Sequence, residues 1–431
     1  MKNIFPILLA LFVIAIFSQC KKSNPSTNPE ITCINTSFVD TLGINFNPQF
    51  IEEDNQGNII ILGSAEDVIK LVRLNADGEL QWQKDYPQIQ GKPQGLVFID
   101  ENSFFIKSST SHYEYELSEH YYADLWKQVG YMLDSSNTYI PFYEFWSGNP
   151  YLHVESSNQT YLTRIDAEGD IIFTKQFIGD ACDGESFFRV NSNDFLFLTS
   201  EIGNTNFEII SWDGFVDTIA HVSDKNKRTV YRIDSDGNII WSTPIEHIFN
   251  PAWAESSIYQ YRQGITQNGN RIIVNTSYNT FELTLTGEVV NEYQPLYNNH
   301  ANWTYSMVNA DASSNYFFSI VSTFDASVAQ TVLFKYDVIN NETLWQKNNY
   351  PVQNMCSGPN GNLIMHVLNQ ELNSLIKLNE KGEELWSGDM PDELWGGTFS
   401  SACNGGALLA FPLESAPDKI VVVKTTENGE F

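Results

Sequence analysis

The stretch Asp-Ser-Asp-Gly-Asn at 234–238 is the string in this sequence best suited by residue type to hold a hard cation. Calcium loops place side-chain oxygens at alternate positions around a glycine and close with a bidentate Glu eleven residues after the first ligand. Ile245 stands where that Glu belongs, so the string reads as a tight turn instead. The seven histidines, His112, His120, His153, His221, His247, His300 and His366, are scattered without metal-ligand spacing. Glu52-Glu53-Asp54 is a run of carboxylates in a chain rich in them, and by itself says nothing about acid–base work. No nucleophile elbow, zinc-protease helix or phosphate loop occurs. Thus no catalytic residue, no metal ligand and no cofactor is expected from motifs. The remaining candidates are aromatic: ten tryptophans, several in segments that read as connections.

Composition limits the partners. With 24 basic against 53 acidic residues the net charge is −29, which argues against nucleic acid, whose sequence-independent binding needs clustered Lys and Arg. The N-terminus is a targeting segment: Lys2, then the apolar run from Ile4 to Phe17, then Ser-Gln-Cys ending at Cys20. It resembles a bacterial lipoprotein signal, which implies cleavage before a lipidated Cys20, although Phe17 and Gln19 depart from the usual lipobox. The alternative is an uncleaved anchor helix, for which the run is shorter than the roughly 20 residues a span needs. Residues 1–19 are therefore assigned to the signal, 20–30 to a flexible polar tether and 31–431 to one folded domain. Cys33, Cys182, Cys356 and Cys403 remain, and the 47-residue interval between Cys356 and Cys403 makes that pair one candidate disulfide.

What positions these residues is a repeat. Arg-Leu-Asn-Ala-Asp-Gly-Glu-Leu-Gln-Trp at 73–82 recurs as Arg-Ile-Asp-Ser-Asp-Gly-Asn-Ile-Ile-Trp at 232–241 and, loosely, as Lys-Leu-Asn-Glu-Lys-Gly-Glu-Glu-Leu-Trp at 377–386. Each copy is a strand, a tight turn and a strand, preceded by another strand pair. Marker turns near 78, 120, 169, 237, 287, 341, 382 and 429 span 351 residues in seven intervals, about 50 each. A four-stranded unit of that period is the signature of a β-propeller. The last copy stops at its turn, and the missing strand stands at the start, where Phe38 precedes Pro48 as Trp82 precedes Pro93. The expectation is an all-β, eight-bladed propeller of four-stranded antiparallel blades, closed by the N-terminal strand, with seven blades as runner-up because the second and third units are the most degenerate. Trp82, Trp126, Trp241, Trp345 and Trp386, with Phe173, take one position of the unit and are read as packing between blades.

The other five, Trp146, Trp212, Trp253, Trp303 and Trp395, fall in connections expected at one end of the blades, with Tyr259 and Arg262 nearby. An aromatic rim of this kind stacks on sugars or anchors a protein loop; alternatively, long loops use it as their own small core. The strand, Gly-turn, Trp pattern resembles the tryptophan-docked repeats of the quinoprotein-like propeller superfamily, which includes pyrroloquinoline-quinone dehydrogenases and a non-catalytic lipoprotein of outer-membrane assembly. Together with the lipoprotein signal and the lack of acidic residues after Cys20, the resemblance implies a Bacteroidetes-type envelope lipoprotein. It would be anchored to the outer membrane through Cys20, face the periplasm, and bind an envelope protein or glycan without being an enzyme. The alternative is a quinoprotein-type dehydrogenase or carbohydrate-active enzyme with its site at the central channel.

Overall fold

The computed structural model describes residues 36–430 apart from 119–124, 134–138, 147–150, 182–186, 192, 202–204, 213–214, 223–225, 248–264, 269, 276–279, 294–302, 310–314, 323–329, 338–339, 341, 349–351, 359–360, 369–372, 391–396 and 414. Every regular element among them is a β-strand. β1 (Phe38–Leu42) leads into sheet I, a meander of β2 (Asn47–Glu53), β3 (Ile59–Ala65), β4 (Val68–Leu74) and β5 (Leu80–Tyr86). Sheet II follows with β6 (Lys92–Asp100) and β7 (Ser103–Ser118), then the separate two-stranded hairpin of β8 (Leu125–Leu133) and β9 (Tyr139–Trp146), then β10 (Tyr151–Asp166) and β11 (Ile171–Ile178). Sheet III holds β12 (Asp180–Ala181), β13 (Phe187–Arg189) and β14 (Asp194–Glu201). The hairpin of β15 (Thr205–Trp212) and β16 (Phe215–Val222) leaves to join sheet II, and β17 (Asn226–Asp234) and β18 (Ile239–His247) complete sheet III.

The remaining sheets are plain four-stranded meanders. Sheet IV is β19 (Ile265–Asn268), β20 (Arg271–Asn275), β21 (Thr280–Thr284) and β22 (Val289–Tyr293). Sheet V is β23 (Trp303–Asn309), β24 (Asn315–Ser322), β25 (Gln330–Asp337) and β26 (Glu342–Asn348). Sheet VI is β27 (Val352–Ser357), β28 (Leu363–Leu368), β29 (Asn373–Leu378) and β30 (Glu384–Asp389). Sheet VII is β31 (Thr398–Ser401), β32 (Ala407–Leu413) and β33 (Ala416–Lys424), with β1 pairing antiparallel to β33 from Phe38↔Lys424 to Leu42↔Ile420 as its fourth strand. Successive four-stranded antiparallel sheets of this kind are the architecture of a β-propeller.

Two expectations are corrected. The second and third sequence units are one sheet, because β7 pairs with β10 along their whole length, from Ser103↔Asp166 to Ser118↔Tyr151. Polar, β-prone residues at 108–118 and 151–160 continue the hairpin where a new sheet was expected, and the 125–146 hairpin is an insertion within it. Trp126 accordingly lies in β8 opposite Phe145, and outside the repeated aromatic position. Cys356 also does not pair with Cys403: Cys356 carries a thiol, whereas Cys403 is disulfide-bonded to a cysteine outside the described residues.

The core sits between sheets. Central strands β3, β14 and β32 carry continuous apolar runs buried on both faces, as Ile59–Leu62, Phe195–Leu198 and Ala407–Phe411 show. One cluster joins Ile59 and Val72 of sheet I to Leu408 and Val422 of sheet VII. Others join sheets I and II, II and III, III and IV, V and VI, and VI and VII. Each cluster buries faces that a single meander would leave wet, so every sheet depends on its neighbours.

The repeated aromatic docks on the next sheet's glycine turn. Trp82 Nε1 donates to Ala167 O at 2.9 Å, Trp241 Nε1 to Leu285 O at 2.9 Å, Trp345 Nε1 to Glu380 O at 3.0 Å and Trp386 Nε1 to Glu427 O at 2.9 Å. Across the strand pair from each stands a cation, and Arg73, Arg232, Lys335 and Lys377 donate to those same four carbonyls. In sheet II the pair is Arg164 and Phe173, with Arg164 Nη1 on Ser235 O at 3.0 Å. In sheet VII it is Lys424 and Phe38. The turn must bring its backbone close beneath the ring. At Gly287, φ is +88° and a β-carbon would meet Trp241 at 2.7 Å; at Gly429, φ is +81° and Trp386 would be 2.6 Å away. Only glycine satisfies both demands.

Candidate functional site

The two ends of the sheets differ. Because each sheet is a meander, first-to-second and third-to-fourth turns lie at one end, and second-to-third connections and crossings to the next sheet lie at the other. At the second end β7 and β10 run past their partners. β6 pairs only with 103–109 and β11 only with 159–165, so the eight residues 151–158 project about 26 Å at 3.3 Å per residue. The hairpin of β15 and β16 arises from the corresponding connection of sheet III and pairs with that projection, from Tyr151↔Glu208 to Val154↔Thr205. Two neighbouring sheets thus build one shared projecting sheet, β7-β10-β15-β16.

Of the aromatic-rim residues, Trp212 closes β15 opposite Phe215 on the projecting sheet, Trp146 closes β9 opposite Leu125 in the inserted hairpin, and Trp303 opens β23 opposite Ser322 at the same end of sheet V. Their backbones are described and their side chains are not. Trp253, Tyr259, Arg262, Trp395 and Cys20 lie outside the described residues.

The opposite end holds a second arrangement. The β2–β3 hairpin brings Glu52, Glu53 and Asp54 against Asp100 and Glu101 of the β6–β7 turn, with Arg189 at the end of β13, around a cavity of about 170 Å³. Four of these carboxylates are engaged, Glu101 through Oε2, which accepts from Gln56 Nε2 at 2.8 Å. The Glu53 side chain is buried, with Oε1 2.7 Å from Lys424 Nζ and Oε2 accepting Cys403 N–H at 2.9 Å, so it ties sheet I to sheet VII. Asp54 accepts Gln56 N–H and Asn58 N–H, each at 2.8 Å, and faces Arg73 at 3.9 Å. Asp100 accepts Asn102 N–H at 2.8 Å within its own turn. Glu52 differs: burial, reinforced by the Glu53 charge, pushes its carboxyl up to about 8, so it holds a proton at neutral pH. Burial also lowers the Arg189 guanidinium while Asp100 raises it. One neutral acid among anions already committed to turns can donate a proton or a hydrogen bond, whereas a cation would need oxygens that these turns already occupy. No group of three or more His, Cys, Asp or Glu side chains suited to a metal occurs among the described residues.

In the sequence the 52–54 run is one acidic stretch among many. Its neighbours Asp100 and Arg189 are contributed by two other sheets, and nothing local marks them. The cation-like string at 234–238 is a hairpin: Asp234 Oδ1 accepts Asn238 N–H at 2.7 Å and Asp236 N–H at 3.0 Å, and Gly237 has φ +69°. His366 is a core residue bonded to Asn373 Oδ1 at 2.8 Å, and burial lowers its pKa.

No protein-family model matches the chain. No curated protein matches it either. Among solved structures it is similar to the WD40 domain of Pan2 from Neurospora crassa, at 11% identity over 88% of this chain and 89% of that one, with a TM-score of 0.45. It is also similar to the AfRom2 CNH domain, at 8% identity over 91% and 97% with a TM-score of 0.43. A third similar structure is BBS1N in complex with ARL6DN, at 12% identity over 91% and 97% with a TM-score of 0.41. The propeller architecture rests on the chain's own successive four-stranded antiparallel sheets. At such identities the likeness carries nothing about function.

Proposed function

We propose that this protein is a non-enzymatic binding or scaffolding lipoprotein of the bacterial cell envelope, tethered to the outer membrane through Cys20 and engaging a protein or glycan with the insertion-bearing end of a propeller. The observation that carries the reading is the projecting sheet β7-β10-β15-β16. Two neighbouring blades contribute the same kind of connection to one added surface, whereas the other end is kept to short turns. Loops and additions on a rigid scaffold are where recognition resides. The tryptophan-docked repeats and the N-terminal signal are the grounds for placing it near the quinoprotein-like propellers of Bacteroidetes-type envelopes.

The blade count we infer is seven rather than eight, with sheets I–VII as the blades. Neighbour contacts run from β31 and β32 to β2, from β2 to β6, from β6 to β13 and from β13 to β19, and again from β23 to β27 and on to β31. With β1 as the last blade's outer strand, and with sheet IV meeting sheet V, such a ring would close and leave no blade with an unsupported face.

The test is a glycan array and a cross-linking capture from envelope extracts with the full chain in detergent. Trp253→Ala and Trp303→Ala are expected to weaken binding at least tenfold, as aromatic anchors do; binding indifferent to both would remove the rim from the reading. A second reading, an enzyme at the central channel, is favoured by one observation, the proton-holding Glu52 in its cavity. Stabilisation of the protein by calcium with a quinone cofactor in a thermal-shift assay would favour it over the first.

A further inference from the structure

We infer that the ring has one slip joint, the junction between sheets IV and V, and that this junction opens before any other, including the one where the two ends of the chain meet. The inference rests on the ring reading above.

The other described junctions share one device, a cation on the third strand and an aromatic opposite it on the fourth, gripping the next sheet's glycine turn, although at sheet VII the cation Lys424 reaches Glu53 and Phe38 alone meets the turn. At that position sheet IV carries Glu282 opposite Asn291. Glu282 faces inward to its own sheet: Oε2 accepts Asn291 Nδ2 at 2.7 Å and the Tyr293 hydroxyl at 2.8 Å, and Oε1 lies 3.2 Å from Arg271 Nε. A carboxylate so placed cannot donate to a carbonyl of the neighbouring turn, and the ring that would cover that turn is replaced by an exposed Asn.

The receiving turn has changed as well. In sheet III, Ile233 pairs with Ile239 around Asp-Ser-Asp-Gly-Asn; in sheet V, Tyr336 pairs with Thr343 around Asp-Val-Ile-Asn-Asn-Glu, one residue longer and without glycine. A β-carbon at the glycine position is what the close approach of an aromatic forbids, as Gly287 and Gly429 show. Among the described junctions, donor, ring and acceptor are therefore altered together here. By contrast, the chain-end junction keeps Phe38 over Gly78, joins Thr36 Oγ1 to Ala76 O at 3.1 Å and adds the buried Lys424–Glu53 pair. Local openings begin where buried apolar contact and inter-element bonding are least. Opening here would turn a closed ring into a curved strip with sheets IV and V at its ends.

Hydrogen exchange with mass spectrometry on the full chain, across a range of urea below the unfolding midpoint, tests this. Peptides covering 289–293 and 303–309 are expected to exchange at least tenfold faster than those covering 80–86 and 384–389. Equal protection, or earlier loss at 38–42 and 416–424, would overturn the inference. Trp386→Ala separates this from failure of the ring reading: if the ring is right, the variant speeds exchange at 384–389 and 426–430. If it leaves 426–430 unchanged, the blade-to-blade docking itself is wrong. If it acts as expected while 289–309 still exchanges no faster, only the slip joint falls.

Discussion

The two ends of the sheets obey different rules. At the turn end, Asn75–Gly78, Asp166–Gly169, Asp234–Gly237, Thr284–Gly287, Asn379–Gly382 and Thr426–Gly429 close with the same bond from the glycine N–H to the first residue's carbonyl, and a neighbour's side chains hold each of them. At the insertion end, β7 and β10 overshoot by whole strands and β15–β16 crosses from one sheet to another. Length varies freely where nothing docks and is held where an aromatic must land on a backbone. A propeller can thus gather new surface at one end without disturbing the contacts that join neighbouring sheets.

The largest effect that can break this contrast is at the chain-end junction. Lys424 and Glu53 are both removed from water, and Lys424→Ala leaves a buried carboxylate without its cation. The expected loss is about 3–5 kcal/mol in denaturant unfolding, against well under that for Lys84→Ala in its exposed pair with Asp170. Equal effects from the two substitutions would mean that the turn end is not where stability is concentrated.

Glu52 gives the next test, through pH. Unfolded and exposed, it loses its proton near 4.5; folded, it keeps it up to about 8. The folded protein therefore binds the extra proton in between, so the stabilisation is complete below about pH 4.5 and is lost as pH rises toward 8. Glu52→Gln, which is neutral throughout, is expected to flatten that slope, with a gain of a few kcal/mol at pH 9. A slope unchanged by the substitution would show that Glu52 is solvated and ordinary.

Trp241→Ala then removes one ring from its glycine turn, with an expected cost of about 2–3 kcal/mol, below a full core Trp because the ring is half-exposed. The cost is measured against Trp126→Ala, whose residue stands in the inserted hairpin and is expected to change stability by less than about 0.5 kcal/mol.

That pair of tryptophans also shows how much the sequence carries. The repeat was legible because most units place a cation, a glycine turn and an aromatic at fixed spacing, so Arg73, Gly78 and Trp82 recur as Arg232, Gly237 and Trp241. The fourth strand supplied by Phe38 was legible for the same reason. Trp126 imitates the pattern without its turn: Tyr122 stands where the glycine belongs, four residues before the ring, and the hydrophobic period of 125–146 is that of any hairpin. Whether a hairpin starts a new sheet or lengthens an old one is decided by β7 finding β10 across thirty-two intervening residues, from Ser118 to Tyr151, which no local signal encodes. The acidic cavity was illegible for a parallel reason, since its groups come from β2, β6 and β13. The rim residues were legible as a list and no further.

The smallest expected effect is the sharpest test of the difference between ends. The β8–β9 hairpin pairs only with itself among the described strands, while the β7–β10 ladder beneath it is continuous. Replacing 125–146 with a short Gly-Ser linker shortens a loop and leaves the inter-sheet clusters untouched, and loop-closure entropy changes slowly with length. The urea midpoint is expected to stay within the equivalent of about 0.5 kcal/mol of the parent. A larger fall would mean that the insertion braces the sheets, and that the division of labour between a stabilising end and a free end is wrong.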